Sequence, residues 1–317
     1  MGFQVVEADK IEILTLQDNY VDMVSGDSNQ IVRRAIPLKG LEVKNSVLAE
    51  HGFSSVVTVH KDGASRAVLF DFGFSEHGAA FNAEALNVDL TKVEVLALSH
   101  GHLDHVGGLE KLAALTGRKG LDLVVHPTAF RQPRFLKIAE NFNAYFPPFT
   151  REKAEKAGLN LVETDSPLPL LGGLALFLGQ IPRTTDFEKG APNLFYEKDG
   201  VEIRDTFEDD TALVMNLKGK GLVVLSGCAH SGIINTLRQA RELTGVEKIH
   251  AVMGGFHLAG PVQKPAIAPT VAGLKDAAPD YIVPTHCTGR EAINLIEREM
   301  PGKFLLNMSG TTMCFEA

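Results

Sequence analysis

The sequence predicts an α/β protein in which a strand, a tight turn and a helix follow one another repeatedly. Four such units begin at residues 93, 221, 248 and 280, and each opens with an apolar run such as "VEVLALSH". Runs of this kind are typical of strands that are buried on both faces of a parallel sheet. Each strand also ends in at least one histidine. Because ligands gather outside the carboxyl ends of strands in open α/β sheets, this pattern predicts a site at one sheet edge.

The first third of the chain reads as strands that are bounded by Asp, Asn and Gly. These segments are "IEILTLQD" (11–18), "SSVVTVHKDG" (54–63) and "RAVLFDFG" (66–73). The segment "GGLEKLAALTG" (107–117) then has helical spacing, as does "SGIINTLRQAREL" (231–243), where apolar residues share one face.

The C-terminal part predicts further elements. The strand "KIHAVMGGFHL" (248–258) leads into a loop that holds Pro261 and Pro265. A helix follows over 290–300, with Thr288 and Glu291 as its capping box. Residues 127–200 are rich in Pro, Gly and Phe, and we interpret them as an insertion that covers one edge of a single domain spanning 1–317.

The composition excludes several classes of protein. The 317 residues carry 31 basic and 39 acidic side chains, a formal charge of −8, which argues against a nucleic-acid partner. No apolar run approaches the roughly 20 residues that cross a bilayer. The three cysteines form no CxxC pair, as expected in a reducing compartment, so we predict a cytoplasmic protein without a membrane partner. The oligomeric state stays open.

The stretch "SHGHLDHVGG" carries the clearest chemistry in the chain. It places His100, His102, Asp104 and His105 within six positions, directly after an apolar strand. A polar loop rich in histidine is the alternative, but nitrogen donors beside a carboxylate are typical of Zn²⁺ sites, with Fe or Mn also compatible. Gly107 and Gly108 follow, and we expect them to let the backbone pass close to the site.

Histidines at the ends of the other three strands extend this set. His230, His257 and His286 occupy positions that correspond to the first cluster, so six of the chain's 11 histidines lie at four strand ends. Taken singly, each is compatible with a buried core histidine. Together they predict metal-ligand roles for His230 and His286. For His257, catalysis through substrate contact, support of a ligand and a plain structural role all stay open.

These motifs resemble the HxHxDH signature of the metallo-β-lactamase superfamily. Further motifs, from "LAEHGFS" and "LFDFG" to "SGCAHSGI", "GGFHL" and "PTHCTG", resemble the subgroup of 7,8-dihydropterin-6-yl-methyl-4-(β-D-ribofuranosyl)aminobenzene 5′-phosphate synthase-like proteins. The resemblance implies an αββα sandwich with metals at one edge. It implies one ion held by His100, His102 and His230, and a second ion held by a set that follows. That second set comprises Asp104, His105 and His286.

Three other residues are candidates on the same comparison. Cys228 stands where the superfamily usually has an aspartate that bridges two metals, and either a zinc thiolate or a small buried thiol fits this position. The resemblance therefore leaves open whether one or two Zn²⁺ ions bind. Asp71 is a candidate support for a ligating histidine or a strand-ending turn residue. Arg183 is a candidate clamp for a phosphate or carboxylate, or a solvated surface residue.

The predicted function is a metal-dependent hydrolase, in which metal-activated water attacks an ester, amide or phosphoester and Asp104 orients that water. The subgroup implies an alternative, a synthase that condenses a pterin with an aminobenzene ribofuranosyl phosphate. An iron redox protein is less favoured, because the di-iron relatives carry glutamate where this chain has His102. The expected partner is a small molecule, either phosphorylated or pterin-like.

Overall fold

The structure, a computed structural model, describes residues 2–317. Its strands are β1 (Glu7–Ala8), β2 (Lys10–Gln17), β3 (Val32–Arg34), β4 (Leu38–Lys39), β5 (Glu42–Val43), β6 (Ser54–Lys61), β7 (Ala64–Phe70), β8 (Val93–Ala97), β9 (Leu121–Val125), β10 (Arg134–Ala139), β11 (Phe142–Tyr145), β12 (Leu159–Glu163), β13 (Leu168–Leu170), β14 (Ala175–Phe177), β15 (Leu194–Lys198), β16 (Val201–Arg204), β17 (Ala212–Leu217), β18 (Gly221–Ser226), β19 (Ile249–Gly255), β20 (Tyr281–Thr285) and β21 (Thr311–Glu316). Its α-helices are α1 (Gly78–Ala85), α2 (Leu103–Val106), α3 (Leu109–Leu115), α4 (Arg151–Lys156), α5 (Ile233–Thr244), α6 (Lys264–Ala277) and α7 (Arg290–Glu299).

Two large mixed sheets form the centre of the fold. The eight-stranded sheet has the order β12-β9-β8-β7-β6-β2-β21-β3, and its strands from β12 to β7 run parallel. The seven-stranded sheet has the order β13-β14-β17-β18-β19-β20, with β1 also paired to β17, and β18 to β20 run parallel. Each sheet therefore brings a block of parallel strands to the same edge of the molecule.

The sheets pack face to face because both of their faces are apolar. Strand β17 illustrates the alternation, since Leu213 and Met215 join the core between the sheets while Val214 packs outward. Helices α5, α6 and α7 cover the outer face of the seven-stranded sheet, and α1, α3 and α4 cover that of the eight-stranded sheet. This burial drives the layers together, and the predicted αββα sandwich is confirmed.

The segment 127–200 divides among three sheets. Strand β12 extends the eight-stranded sheet, and β13 and β14 extend the seven-stranded sheet. Only β10, β11, β15 and β16 leave the sandwich, and they form a separate four-stranded sheet in the order β11-β10-β15-β16. We call this the accessory sheet. The residues that leave the sandwich are thus fewer than the predicted insertion, and β16 lies beyond its end.

Two local predictions are wrong. Pro265 lies in the first turn of α6, where a missing N–H costs no helical hydrogen bond, and not in a loop. Thr288 does not cap α7, whose N-cap is Gly289; its hydroxyl accepts a hydrogen bond from the backbone N–H of Phe256 instead. The helix predicted within 107–117 is confirmed as α3, and the short helix α2 precedes it.

We expected Gly107 and Gly108, which lie between α2 and α3, to let the backbone pass close to the site. Instead, they let the backbone pass close to the loop that follows β7. The N–H of Gly107 donates to the carbonyl of Gly73, and a Cβ on Gly107 would lie 1.7 Å from the carbonyl oxygen of Phe74. The absent side chain therefore lets the helices rest on the loop that follows β7. Within residues 2–317, no helix is both long enough and apolar enough to cross a membrane.

Gly107→Ala should lower the free energy of unfolding by about 1–3 kcal/mol, the usual cost of an overpacked site, because backbone atoms must move away from the added methyl group. Urea unfolding measures this difference. Gly302→Ala is the matched control, since a Cβ there meets nothing within 4 Å, and it should change stability by less than about 0.5 kcal/mol. Equal stability of the two variants would contradict the close approach.

Candidate metal centre

The predicted ligands meet at the edge where five parallel strands end. Strands β7 and β8 deliver residues from one sheet, and β18, β19 and β20 deliver residues from the other. The side chains that converge there are those of Asp71, His100, His102, Asp104, His105, Cys228, His230, His257 and His286. The cluster needs both sheets, because Asp71 to His105 follow strands of one sheet and Cys228 to His286 follow strands of the other.

The potential ligand atoms fall into overlapping groups. Asp104, His105, Cys228 and His286 have donor atoms within 4.8 Å of one another, which is the predicted second set with the cysteine added. The Nε2 atoms of His100 and His230 lie 3.2 Å apart. The ring of His102 lies 4.6 Å from that of His100 and 4.8 Å from that of His230, measured between centroids. The predicted first set is therefore contiguous.

Asp71 determines which nitrogen of two histidines is free. Its carboxylate is fully buried and accepts from Nδ1 of His105 at 2.6 Å and from the hydroxyl of Ser99 at 2.7 Å. Since that hydroxyl proton is used, Nδ1 of His100 donates to the Ser99 oxygen at 2.9 Å. Both rings therefore turn an Nε2 lone pair toward the cluster, as metal ligation requires.

His286 is held by a different partner. Its Nδ1 lies 3.1 Å from the amide oxygen of Asn19, which accepts, so this ring also presents Nε2 to the cluster. That Nε2 lies 3.2 Å from Oδ2 of Asp104. Burial alone would lower the pKa of His286, but the Asp104 carboxylate raises it to about 9. Burial would conversely raise the pKa of Asp104, and His105 and His286 hold it well below its usual range.

Burial keeps the imidazoles of His100 and His230 neutral. His100 and His230 are both buried, and desolvation, helped by the neighbouring histidines, lowers the pKa of each well below 6.5. Neutral imidazoles are the form that binds metals. Burial likewise raises the pKa of the Cys228 thiol. Its sulfur lies 3.2 Å from Nε2 of His105 and belongs to three of the four ligand groups among the described residues.

His102 faces a buried ion-pair network that the sequence did not reveal. Its Nε2 lies 3.9 Å from Oδ2 of Asp205, and Arg134 places its Nε 2.9 Å from the same oxygen. Arg134 also donates to Asp209, whose carboxylate accepts the N–H of Gly101 between the two histidines. All three charged side chains are buried. The motifs at the strand ends could not indicate this network, because Arg134 lies on the accessory sheet, away from those motifs.

Backbone strain concentrates at this edge. Asp71, Ala229, His257 and His286 have φ values of 59°, 49°, 45° and 46°, in the left-handed region that side chains rarely adopt. Each follows the end of a different strand. Each residue in this backbone conformation lowers the stability of the fold by on the order of 1–3 kcal/mol. Such residues persist where the surrounding structure holds them firmly, and they cluster at functional sites.

The remaining candidates line the periphery. Arg183 is exposed and donates from Nη2 to the carbonyl of His230 at 3.3 Å. His257 is half-buried, and its ring lies 4.0 Å from that of His230 beside a small, partly open pocket. The side chain of His51, which the sequence left without a role, is 61% exposed, and its Nε2 lies 3.5 Å from Oδ2 of Asp104.

The donor set fits a divalent metal. The Nε2 lone pairs of His100 and His105 point toward the cluster, and the buried Nε2 of His286 faces the Asp104 carboxylate at 3.2 Å. A cation among these donors would take the place of the proton that Asp104 favours on His286 and would offset the charge of the carboxylate. Imidazoles with one carboxylate and one thiol are a set that Zn²⁺ prefers, and iron or manganese would use the nitrogen and oxygen donors.

Comparison with known proteins places this geometry in a family. Residues 49–154 match the family model for the metallo-beta-lactamase superfamily. The 7,8-dihydropterin-6-methyl-4-(beta-D-ribofuranosyl)-aminobenzene-5'-phosphate synthase of Methanocaldococcus jannaschii is 30% identical over 264 residues, covering 81% of this chain and 87% of that protein. The chain belongs to the metallo-β-lactamase superfamily. The predicted resemblance is thereby confirmed.

Two other relatives are similar to most of the chain. An uncharacterized protein of the same organism is 29% identical over 254 residues, covering 79% of this chain and 88% of its own length. The crystal structure of a metal-dependent hydrolase of the beta-lactamase superfamily superposes with a TM-score of 0.71 at 26% identity, covering 97% of this chain and 99% of that one. The superfamily fold therefore extends over nearly the whole chain.

Asp71→Asn should weaken Zn²⁺ binding by about 10- to 100-fold, the usual effect of losing a hydrogen-bond partner of a ligand. Asparagine keeps the shape of the side chain and tolerates a positive φ, so loss of the carboxylate charge is the main change. Competition with a chelating indicator measures the affinity. Asp89→Asn, at a half-exposed carboxylate remote from the cluster, is the control. Unchanged affinity in Asp71→Asn would refute the orienting role.

Proposed function

We propose that this chain is a metal-dependent hydrolase of small molecules that carry an ester, amide or phosphoester bond. The observation that carries the proposal is the convergence of buried histidine nitrogens from two sheets upon Asp104 and Cys228. His100, His102 and His230 would hold one Zn²⁺ ion, and Asp104, His105 and His286 would hold a second. When bound, such an ion lowers the pKa of a water molecule to about 7 and polarises the oxygen of the scissile group.

The chain's own residues supply the remaining steps. Asp104 is partly accessible while His100, His105 and His286 are buried, which supports a role for its Oδ2 in orienting a water molecule and accepting its proton. His51 lies on the solvent side of that oxygen and can pass the proton outward through Nε2. Arg183 offers an exposed guanidinium beside His230, suited to an anionic group of the substrate.

Replacing both His102 and His105 by alanine should abolish metal binding and turnover together, because each of the two proposed metal positions loses a nitrogen ligand. Metal content of the purified protein and hydrolysis of chromogenic ester, anilide and phosphoester substrates measure the two effects. His77→Ala, at an exposed histidine outside the cluster, should retain both properties. Hydrolysis by the metal-free double variant at the wild-type rate would refute the proposal.

A second candidate is a synthase that joins a pterin to an aminobenzene ribofuranosyl phosphate. The similarity to the Methanocaldococcus jannaschii synthase over most of both chains favours it. The exposed Arg183 would then hold the phosphate of the second substrate, and the metal site would serve the condensation. Both candidates keep the substrate small, and both are compatible with the predicted cytoplasmic location.

Mass spectrometry separates the two candidates. If the chain is a synthase, the metal-loaded protein should convert the two precursors into the condensed product, and Arg183→Ala should lower that yield by weakening binding of the phosphorylated precursor. Protein from which the metal has been removed is the control. Failure of the metal-loaded protein to exceed this control would count against the synthase and leave the hydrolase test unaffected.

A further inference from the structure

A third group of donor atoms lies beside the predicted ligand sets. One ligand atom each of Cys228, His257 and Cys287 lies within 4.8 Å of the other two. These residues follow the ends of three adjacent parallel strands, β18, β19 and β20. The group shares only Cys228 with the sets described above. The sequence did not suggest it, because the two cysteines lie 59 positions apart.

The two thiols are held in place by their surroundings. Cys287 is buried, and its sulfur donates to the backbone carbonyl of Cys228 at 3.5 Å. A Cβ at Gly255 would lie 2.5 Å from that sulfur, so the space for the thiol depends on the absence of a side chain there. The pair is thus a packed feature of the sheet edge. Cys314, the remaining cysteine, lies on β21 beside Glu12 and outside these groups.

His257 completes the group at some cost in stability. Its Nδ1 is buried and has no hydrogen-bond partner within the described residues, which typically costs about 1–3 kcal/mol. Its backbone is also held in the left-handed region, at a φ of 45°. A strained residue that leaves a ring nitrogen unpaired beside two thiols indicates a ligand for that nitrogen.

We propose that Cys228, Cys287 and His257 bind a thiophilic cation such as Zn²⁺, at a position separate from the histidine and carboxylate sets. Two thiolates and one imidazole are a donor set that soft and borderline ions prefer. The two thiol protons leave to solvent when the ion binds. The pocket beside His257, which His230 and Ala229 also line, offers a route of entry. This assigns His257 a role other than substrate contact, and it does not depend on the proposed reaction.

Cadmium titration of the full-length, reduced and metal-stripped chain tests the site. We expect Cys287→Ala to bind one ion fewer per chain by equilibrium dialysis and to lose about half of the thiolate-to-cadmium absorbance. Cys287 belongs to neither of the predicted histidine sets, so those should still fill. Cys314→Ala is the matched control and should equal the wild type in both measurements. Circular dichroism checks that both variants are folded.

An unaltered ion count and absorbance in folded Cys287→Ala would overturn the proposal. Should this variant fail to fold, ¹¹³Cd nuclear magnetic resonance of the wild-type chain decides, because the chemical shift reports the number of sulfur ligands. A resonance in the range of two thiolate ligands supports the site. Resonances that all indicate one sulfur or none refute it, whatever the outcome of the turnover experiments.

Discussion

The buried carboxylate of Asp71 is the interaction on which the metal centre depends. It lies at the end of β7 and accepts hydrogen bonds from His105 directly and from His100 through the hydroxyl of Ser99. The other sheet also meets it, since a Cβ at Gly227 would lie 2.6 Å from its Oδ2. One anion therefore fixes the tautomers of two histidines where the sheets come together, and a neutral side chain could not accept both protons as strongly.

Two consecutive aspartates hold the loops that carry the other donors. Asp209 accepts the N–H of Gly101, and Asp210 accepts the N–H groups of His230 and Ser231 at 2.9 and 2.8 Å. The pair lies where a turn closed by the Asp210 N–H and the Phe207 carbonyl leads into β17, and it holds loops from both sheets. Both carboxylates are buried, and burial raises the pKa of Asp210 to about 6. Asp209 is also paired with Arg134, and neither aspartate joins the ligand groups, in which Asp104 supplies the carboxylate.

The sequence predicts the parts of this arrangement that short-range patterns encode. The apolar runs located β8, β18, β19 and β20, and the histidines after them predicted one shared edge because parallel strands end together. The resemblance to the metallo-β-lactamase superfamily implied the αββα sandwich and the two predicted sets of metal ligands. The wrong helix cap predicted at Thr288 shows the limit of short-range patterns. The Thr288 hydroxyl accepts a hydrogen bond from the backbone N–H of Phe256, which lies in a neighbouring loop. The thiol pair and the positive φ of His257 stayed hidden for a related reason: both depend on tertiary packing.

Arg134 shows why an accessory sheet can matter to a centre built by other strands. Its guanidinium neutralises Asp205 and Asp209, which would otherwise be uncompensated buried charges. Asp205 Oδ2, which Arg134 approaches from one side, and His102 Nε2 are both buried and lie 3.9 Å apart. A proton on Nε2 suits the carboxylate and leaves Nδ1 of His102 as the lone pair for a cation. Since Arg134 begins β10, the accessory sheet anchors the charge that selects this tautomer.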